Sequence, residues 1–261
     1  MGIFELNEDS YVEIEKDGKK LKLIKKAAWT KFNSSVLGIG DISNESIAKS
    51  VICTIFDLEG FTKFCNQIDP DLVIPVFLKK YLDWFFIQIQ NETNREEYDE
   101  GMHTWHDLPF YIKFMGDGLL LLWDIANLSS ISQGNIIVSS LRIIENYSKD
   151  FLPKIKKEVV DPPGKLRCGI AKGKVYSVGE KQDYVGPCIN FASRLQKLPG
   201  TSFAFSIRGI DFEDAIGERT RNKLIEKIIE TRGIGENELV FILKDEFEKM
   251  EEENKQKYRD V

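Results

Sequence analysis

An α+β domain with a largely antiparallel sheet is the architecture to expect from this chain, and three features carry that expectation. Short β-branched and apolar runs recur along it, two long amphipathic helical patterns lie between them, and glycine-containing turns join neighbouring runs into hairpins. With 261 residues, 42% of them hydrophobic, the chain can bury a full core, and the length suits one domain with extensions better than two. The expected division is an N-terminal extension over 1–48, a main domain over 49–244 and a charged tail over 245–261.

Residues 11–24 (YVEIEKDGKKLKLI) alternate polar and apolar around Asp17-Gly18, a turn dipeptide, so a β-hairpin is expected outside the main core. A polar stretch over 33–50 leads into VICTIFD, whose β-branched residues 51–55 suit a buried central strand. Phe77, Tyr81, Trp84, Phe85 and Ile89 then recur at helical spacing, a stripe read as core, with Pro75 near the first turn. Residues 92–109 are polar and contain Gly101 and Pro109, which predicts a loop insertion. YIKFMGDGLLLLW gives two short strands about Gly116-Asp117-Gly118. A second amphipathic helix follows over 135–151, expected to stop before Pro153. KLRCGIAKGKVYSVG reads as strand–turn–strand, residues 190–198 as a helix, and TSFAFSI and LVFIL as further strands. The tail, KDEFEKMEEENKQKYRDV, is almost all charge and is expected to be a solvated helix or disordered.

The charge balance excludes some functions. Lys+Arg 36 against Asp+Glu 42 gives −6, which disfavours sequence-independent nucleic-acid binding, although a local basic cluster can still hold a small anion. No uninterrupted apolar run is long enough to span a bilayer, and MGIFELNEDS has no secretory signal. Cys53, Cys65, Cys168 and Cys188 are scattered without a CxxC pair, as reduced small hydrophobes are; a cytoplasmic location is expected.

Three segments carry candidate chemistry. In FDLEGFT (residues 56–62), Asp57 closes a buried strand just before a Gly-containing turn into a helix. It either ligates a hard divalent cation, with backbone N–H groups of Gly60, Phe61 and Thr62 on phosphate oxygens, or merely caps the helix. In KFMGDG (113–118), Asp117 is an ordinary turn residue when taken alone; taken with Asp57, it completes a pair of strand-end carboxylates suited to two Mg²⁺ or Mn²⁺ ions. In DYVGPCINFASRLQ (183–196), Asn190 and Arg194 are four apart on a helix and share a face. They suit a sugar oxygen and a phosphate, or are a cap and a surface arginine.

Those three segments, in that order within this strand and helix pattern, resemble the catalytic domain of class III adenylyl/guanylyl cyclases over residues 51–243. The resemblance implies a ferredoxin-like βαββαβ core, with the N-terminal hairpin and charged tail as additions. It implies a nucleoside triphosphate substrate and a homodimer with two sites at its interface. Asp57 and Asp117 would hold the two divalent cations, with the Leu58 carbonyl as a further ligand. Asn190 and Arg194 of the partner subunit would orient the ribose and stabilise phosphate charge, and Arg232 lies near the family's basic triphosphate contact. A catalytically inactive cyclase-fold module is the rival; such modules lose a metal Asp or the Asn/Arg pair, and all four are present.

The family's base-reading positions fall on Lys113, a donor, and Asp183, an acceptor. That pair disfavours GTP but leaves ATP, CTP and UTP open, since each presents a matching acceptor and donor. DYVGPCIN is two residues shorter between Asp-Tyr and Gly than the common bacterial pattern, which reshapes the expected base pocket. The DLEGFTKFCNQIDP and GPCINFASRLQKLPG phrasing is similar to the stand-alone bacterial pyrimidine cyclases of Pycsar anti-phage defence. That implies UTP as substrate and cyclic UMP, read by a separate effector, as product; an ordinary adenylyl cyclase is the alternative.

Overall fold

The computed structural model describes residues 4–261 except 6, 100, 101, 106, 181, 182 and 232–234. In chain order the elements begin with β1 (Tyr11–Lys16), β2 (Lys19–Ile24), α1 (Lys26–Trp29), β3 (Ala48–Glu59), α2 (Phe61–Cys65) and α3 (Pro70–Thr93). Next are β4 (Asn94–Asp99), β5 (Met102–Trp105), β6 (Tyr111–Phe114), β7 (Gly118–Asp124), α4 (Ser130–Asn146) and α5 (Leu152–Ile155). Then come β8 (Lys165–Val178), β9 (Asp183–Val185), α6 (Pro187–Leu195), β10 (Phe203–Ser206), α7 (Phe212–Ala215) and α8 (Glu218–Arg221). The chain ends with β11 (Leu224–Thr231), β12 (Gly235–Leu243), α9 (Lys244–Glu248), α10 (Glu252–Lys255) and β13 (Tyr258–Arg259).

Two compact units result, Met1–Ala48 with Val175–Val185, and Lys49–Lys174 with Gly186–Val261. In the larger, the sheet runs β13-β11-β12-β10-β8-β3-β7-β6. Its centre is β3, α3, β6, β7, α4 and β8, the expected βαββαβ unit, with strands in the spatial order fourth, first, third, second. The pairs β3–β7 and β6–β7 are antiparallel, and β8–β10 is parallel. The residues of β3 from Val51 to Leu58 are all buried, as the β-branched run predicts. Ile52, Phe56 and Leu58 enter the core with Phe77, Tyr81 and Phe85 of α3 and Ile137, Leu141 and Ile144 of α4. The period-2 alternation sends Cys53, Ile55 and Asp57 to the other face.

In the smaller unit, β1 and β2 form the expected hairpin, with Asp17 (φ 53°) and Gly18 (φ 69°) at its tip. Ser177, near the end of β8, ties its neighbours together: its N–H donates to the Ile47 carbonyl at 3.0 Å, and its hydroxyl accepts from Ile47 N–H at 2.8 Å.

Several expectations are corrected. KLRCGIAKGKVYSVG is one continuous strand, β8, with no turn. Its glycines serve close packing: a Cβ on Gly169 would lie 2.1 Å from the Ala192 carbonyl oxygen of α6, and one on Gly173 would lie 2.9 Å from Cys188 Cβ. The helix expected over 135–151 starts at Ser130, where the Ser129 hydroxyl accepts from Ser132 N–H. It does not stop before Pro153. A π turn over Tyr147–Phe151 leads straight into α5, and Pro153 is accommodated just after that widened turn. Residues 92–109 are not all loop, since α3 runs to Thr93 and β4 pairs with β5.

The charged tail also folds. Its two short helices end in β13, which pairs with β11; Met250 and Tyr258 are buried, and the Tyr258 hydroxyl donates to the Pro199 carbonyl at 2.7 Å. β11 lies outside the strands expected from the sequence, because LIEKIIET interleaves charges with its apolar residues. One of those charges, Lys227, is buried and pairs with Asp260 of the tail at 2.5 Å. All four cysteines are free thiols.

Candidate active site

The strand-end carboxylates are set by backbone pairing. In the β3–β7 ladder Asp57 lies opposite Gly118, and the Leu58 N–H donates to the Asp117 carbonyl oxygen at 3.0 Å. The two aspartates therefore sit one residue apart in register, at the same end of adjacent central strands. Their turns demand glycine: Gly60 (φ 85°) and Gly116 (φ 92°) both hold left-handed backbone. Beyond Gly60, α2 begins with half-buried Phe61 and exposed Thr62; the Phe61 ring packs against Phe64 and Phe77. A cleft of about 800 Å³ opens beside this turn, lined by Glu59, Gly60, Thr62, Lys63, Lys156 and Gly164 among others.

One residue of this cluster was not expected from the sequence. Arg167 of β8 donates through Nη2 to Asp57 Oδ2 at 2.5 Å, with the two side chains 21% and 12% exposed. Its Nε is buried without a hydrogen-bond partner. The partnership joins residues 110 apart in sequence and depends on strand register. No local motif announces it. The Asp117 charge is also felt nearby: burial, then the Asp117 carboxylate, pushes the Cys65 thiol up from its ordinary pKa.

Asn190 and Arg194 share the exposed face of α6, as their spacing predicts, while Cys188, Phe191, Ala192 and Leu195 form its buried face. The helix is seated on β8 by the contact that Gly169 permits. Among the described residues, no hydrogen bond or ion pair joins Asn190 or Arg194 to Asp57 or Asp117. The structure thus brings Asp57, Leu58, Asp117, Gly60, Phe61 and Thr62 to one end of the central strands, while Asn190 and Arg194 are carried by a different element, α6. Lys113 lies on β6 opposite Leu120. Asp183 begins β9 in the smaller unit, opposite Val178, and its Oδ1 accepts from Tyr184 N–H at 2.9 Å. Arg232 lies outside the described residues.

The donor chemistry at the strand ends fits a hard divalent cation. Two carboxylates and the Leu58 carbonyl are oxygen ligands, the set that Mg²⁺ and Mn²⁺ prefer. Among the described residues no group of three or more His, Cys, Asp or Glu is placed to hold a metal, so further positions would fall to water or ligand oxygens. Arg167 already supplies the positive charge that Asp57 requires when no cation is there.

No protein-family model matches the sequence, and no curated protein matches it. Solved structures do match. The guanylyl cyclase Cya2 aligns with a TM-score of 0.56 at 16% identity, over 77% of this chain and 94% of that one. The adenylyl cyclase CyaB from P. aeruginosa aligns with a TM-score of 0.56 at 14% identity, over 77% and 96%. The catalytic core of a rhodopsin-guanylyl cyclase with converted specificity, in complex with ATPαS, aligns with a TM-score of 0.52 at 17% identity, over 77% and 98%. At these identities the likeness establishes the fold, that of adenylyl and guanylyl cyclase catalytic domains. No helix among the described residues is long and apolar enough to cross a membrane.

Proposed function

We propose that this chain is a nucleotidyl cyclase that converts a nucleoside triphosphate to its 3′,5′-cyclic monophosphate and pyrophosphate. The observation that carries the proposal is the register of Asp57 and Asp117 at the ends of β3 and β7, within a fold shared with adenylyl and guanylyl cyclases. Asp57, Asp117 and the Leu58 carbonyl would hold two divalent cations, Mg²⁺ or Mn²⁺. Bound there, the ions supply a lowered pKa for the attacking 3′-hydroxyl and neutralisation of the triphosphate.

The chain's own residues do the rest. Backbone N–H groups at Gly60, Phe61 and Thr62 receive phosphate oxygens. Arg167, which holds the Asp57 carboxylate in this chain, would be available to add positive charge near the triphosphate. Asn190 fixes the ribose, and Arg194 places positive charge where the transition state gathers negative, a role worth several kcal/mol. By the resemblance to class III cyclases, Asn190 and Arg194 would act on a site held by a second copy, and the working form would be a homodimer. Arg232, if it reaches the triphosphate, adds to that charge.

Lys113 and Asp183 are the pair proposed to read the base, as donor and acceptor. The shortened segment between Asp183 and Asn190 reshapes the base pocket, and the resemblance to pyrimidine cyclases makes UTP the proposed substrate. The similar phrasing of the motifs to pyrimidine cyclases of anti-phage defence supports a signalling role, with cyclic UMP sensed by a separate effector. Presence of all four residues, Asp57, Asp117, Asn190 and Arg194, speaks against an inactive regulatory module. Offering ATP, GTP, CTP and UTP singly to the purified chain with Mn²⁺, with cyclic products identified by mass, tests both levels of the proposal. Cyclic UMP should dominate. A preference for ATP would replace the base assignment, and no cyclic product from any triphosphate would remove the activity.

A further inference from the structure

The chain carries a net charge of −6, yet residues 19–32 (KKLKLIKKAAWTKF) hold six lysines and no acid. Lys19, Lys20, Lys22, Lys25, Lys26 and Lys31 are all exposed. The two acids of β1 take up part of this charge. Glu13 pairs with Lys22 at 3.1 Å, and Glu15 lies opposite Lys20. Lys19 instead faces Lys16 across the hairpin, and no ion pair involves Lys25, Lys26 or Lys31 among the described residues.

The same segment exposes apolar surface. The register sets Val12 opposite Leu23 and Ile14 opposite Leu21, on one face of a hairpin whose strands pair only with each other. Val12, Leu21 and Leu23 are 49%, 40% and 50% exposed, and Lys16 and Lys19 form the next pair on that face, towards the tip. Just beyond, Trp29 and Phe32 are 62% and 61% exposed. A two-stranded hairpin is marginal by itself in water, so leaving its apolar face in solvent wastes the burial that would hold it.

We propose that this arm, residues 11–32, docks on an anionic lipid surface. Lysines accompany an apolar hairpin face, and the adjoining segment exposes an indole and a phenyl ring, which is the chemistry of a bilayer boundary: headgroup phosphates outside, acyl chains beneath, aromatic side chains between. Two copies facing each other through this surface would bring together two patches of the same net positive charge, with seven lysines against three acids over residues 11–32. An acidic protein would satisfy the lysines but would need its own apolar groove for Leu21, Leu23, Trp29 and Phe32. Attachment of this kind is peripheral and reversible, and it is independent of the nucleotide chemistry proposed above.

Co-sedimentation of the full chain with vesicles tests this. The chain should pellet with phosphatidylcholine vesicles containing about a third phosphatidylglycerol, not with pure phosphatidylcholine, and raised salt should release it. K25Q/K26Q should weaken partition by about five-fold per lysine. W29A/F32A should weaken it while leaving the salt dependence in place, with circular dichroism confirming that both variants fold. Absence of pelleting with anionic vesicles would overturn the proposal. So would a loss of self-association or of a protein complex in W29A/F32A, by gel filtration, while vesicle binding stayed unchanged.

Discussion

The strand-end cluster and the exposed face of α6 are built in opposite ways. Around Asp57 and Asp117, position is set by the backbone through a ladder pair, a hydrogen bond from Leu58 N–H to the Asp117 carbonyl and left-handed glycines at both turns, with a side-chain charge partner in Arg167. In this half the Asp57 charge is paired within the chain, by Arg167. On α6 the backbone fixes only where Asn190 and Arg194 begin, and their side chains stand in solvent with the helix anchored from behind. An anchored half and an exposed half are consistent with the proposal that the second is completed by something its own chain does not supply. In the dimer proposed here that is the partner's strand-end cluster.

The largest effect expected follows from separating the two halves genetically. Asp57→Asn preserves size at the strand end, and Arg194→Ala trims an exposed side chain. Each variant alone should lose about 1,000-fold or more in turnover with its melting temperature little changed. Mixed in equal amounts and allowed to exchange subunits, they should recover about a quarter of wild-type activity, since half the dimers then carry one intact site. Failure to recover, with exchange verified, would mean that both halves serve the same chain's site.

A smaller effect should separate the halves by packing. Gly169→Ala forces a Cβ against the Ala192 carbonyl and should lift α6 off β8, costing about 2 kcal/mol of stability by chemical denaturation. The strand ends do not depend on that seat. Mn²⁺ binding by the variant should therefore match wild type while turnover falls. Equal losses in both would show that the two halves are mechanically one.

How far these features were legible in the sequence follows the range of the forces that make them. Asp17-Gly18 and Gly116-Asp117-Gly118 announced their turns because positive φ leaves a local compositional trace. The stripe from Phe77 to Ile89 announced α3 because helical burial repeats along the chain. Gly169 and Gly173 misled, since a glycine that admits a neighbouring helix looks the same in sequence as one that turns the chain. β11 and the tail were hidden for a related reason: the charges of Lys227 and Asp260 read as solvated, whereas the lysine is buried with its ammonium paired to Asp260 and 4.2 Å from the Phe247 ring centroid. Arg167 is the sharpest case. Its residue type is ordinary, and its meaning comes from a strand 110 residues away.

The smallest effect concerns what lies beneath the rigid half. Tyr81 is fully buried, and its ring is stacked on Phe77 with centroids 6.0 Å apart. Its hydroxyl has no hydrogen-bond partner among the described residues. Burial first, then Tyr147 and the charge of Asp57 among others, hold its pKa well above the ordinary value, so the group stays a neutral, unsatisfied donor. An orphaned buried hydroxyl costs about 1–3 kcal/mol, whereas the ring contacts survive in phenylalanine. Tyr81→Phe should therefore raise stability by about 1 kcal/mol and leave turnover and Mn²⁺ binding unchanged. If the variant were instead less stable and bound Mn²⁺ more weakly, the hydroxyl would be supporting the carboxylates from below. The rigid half would then extend through the sheet into the core, well past the strand ends.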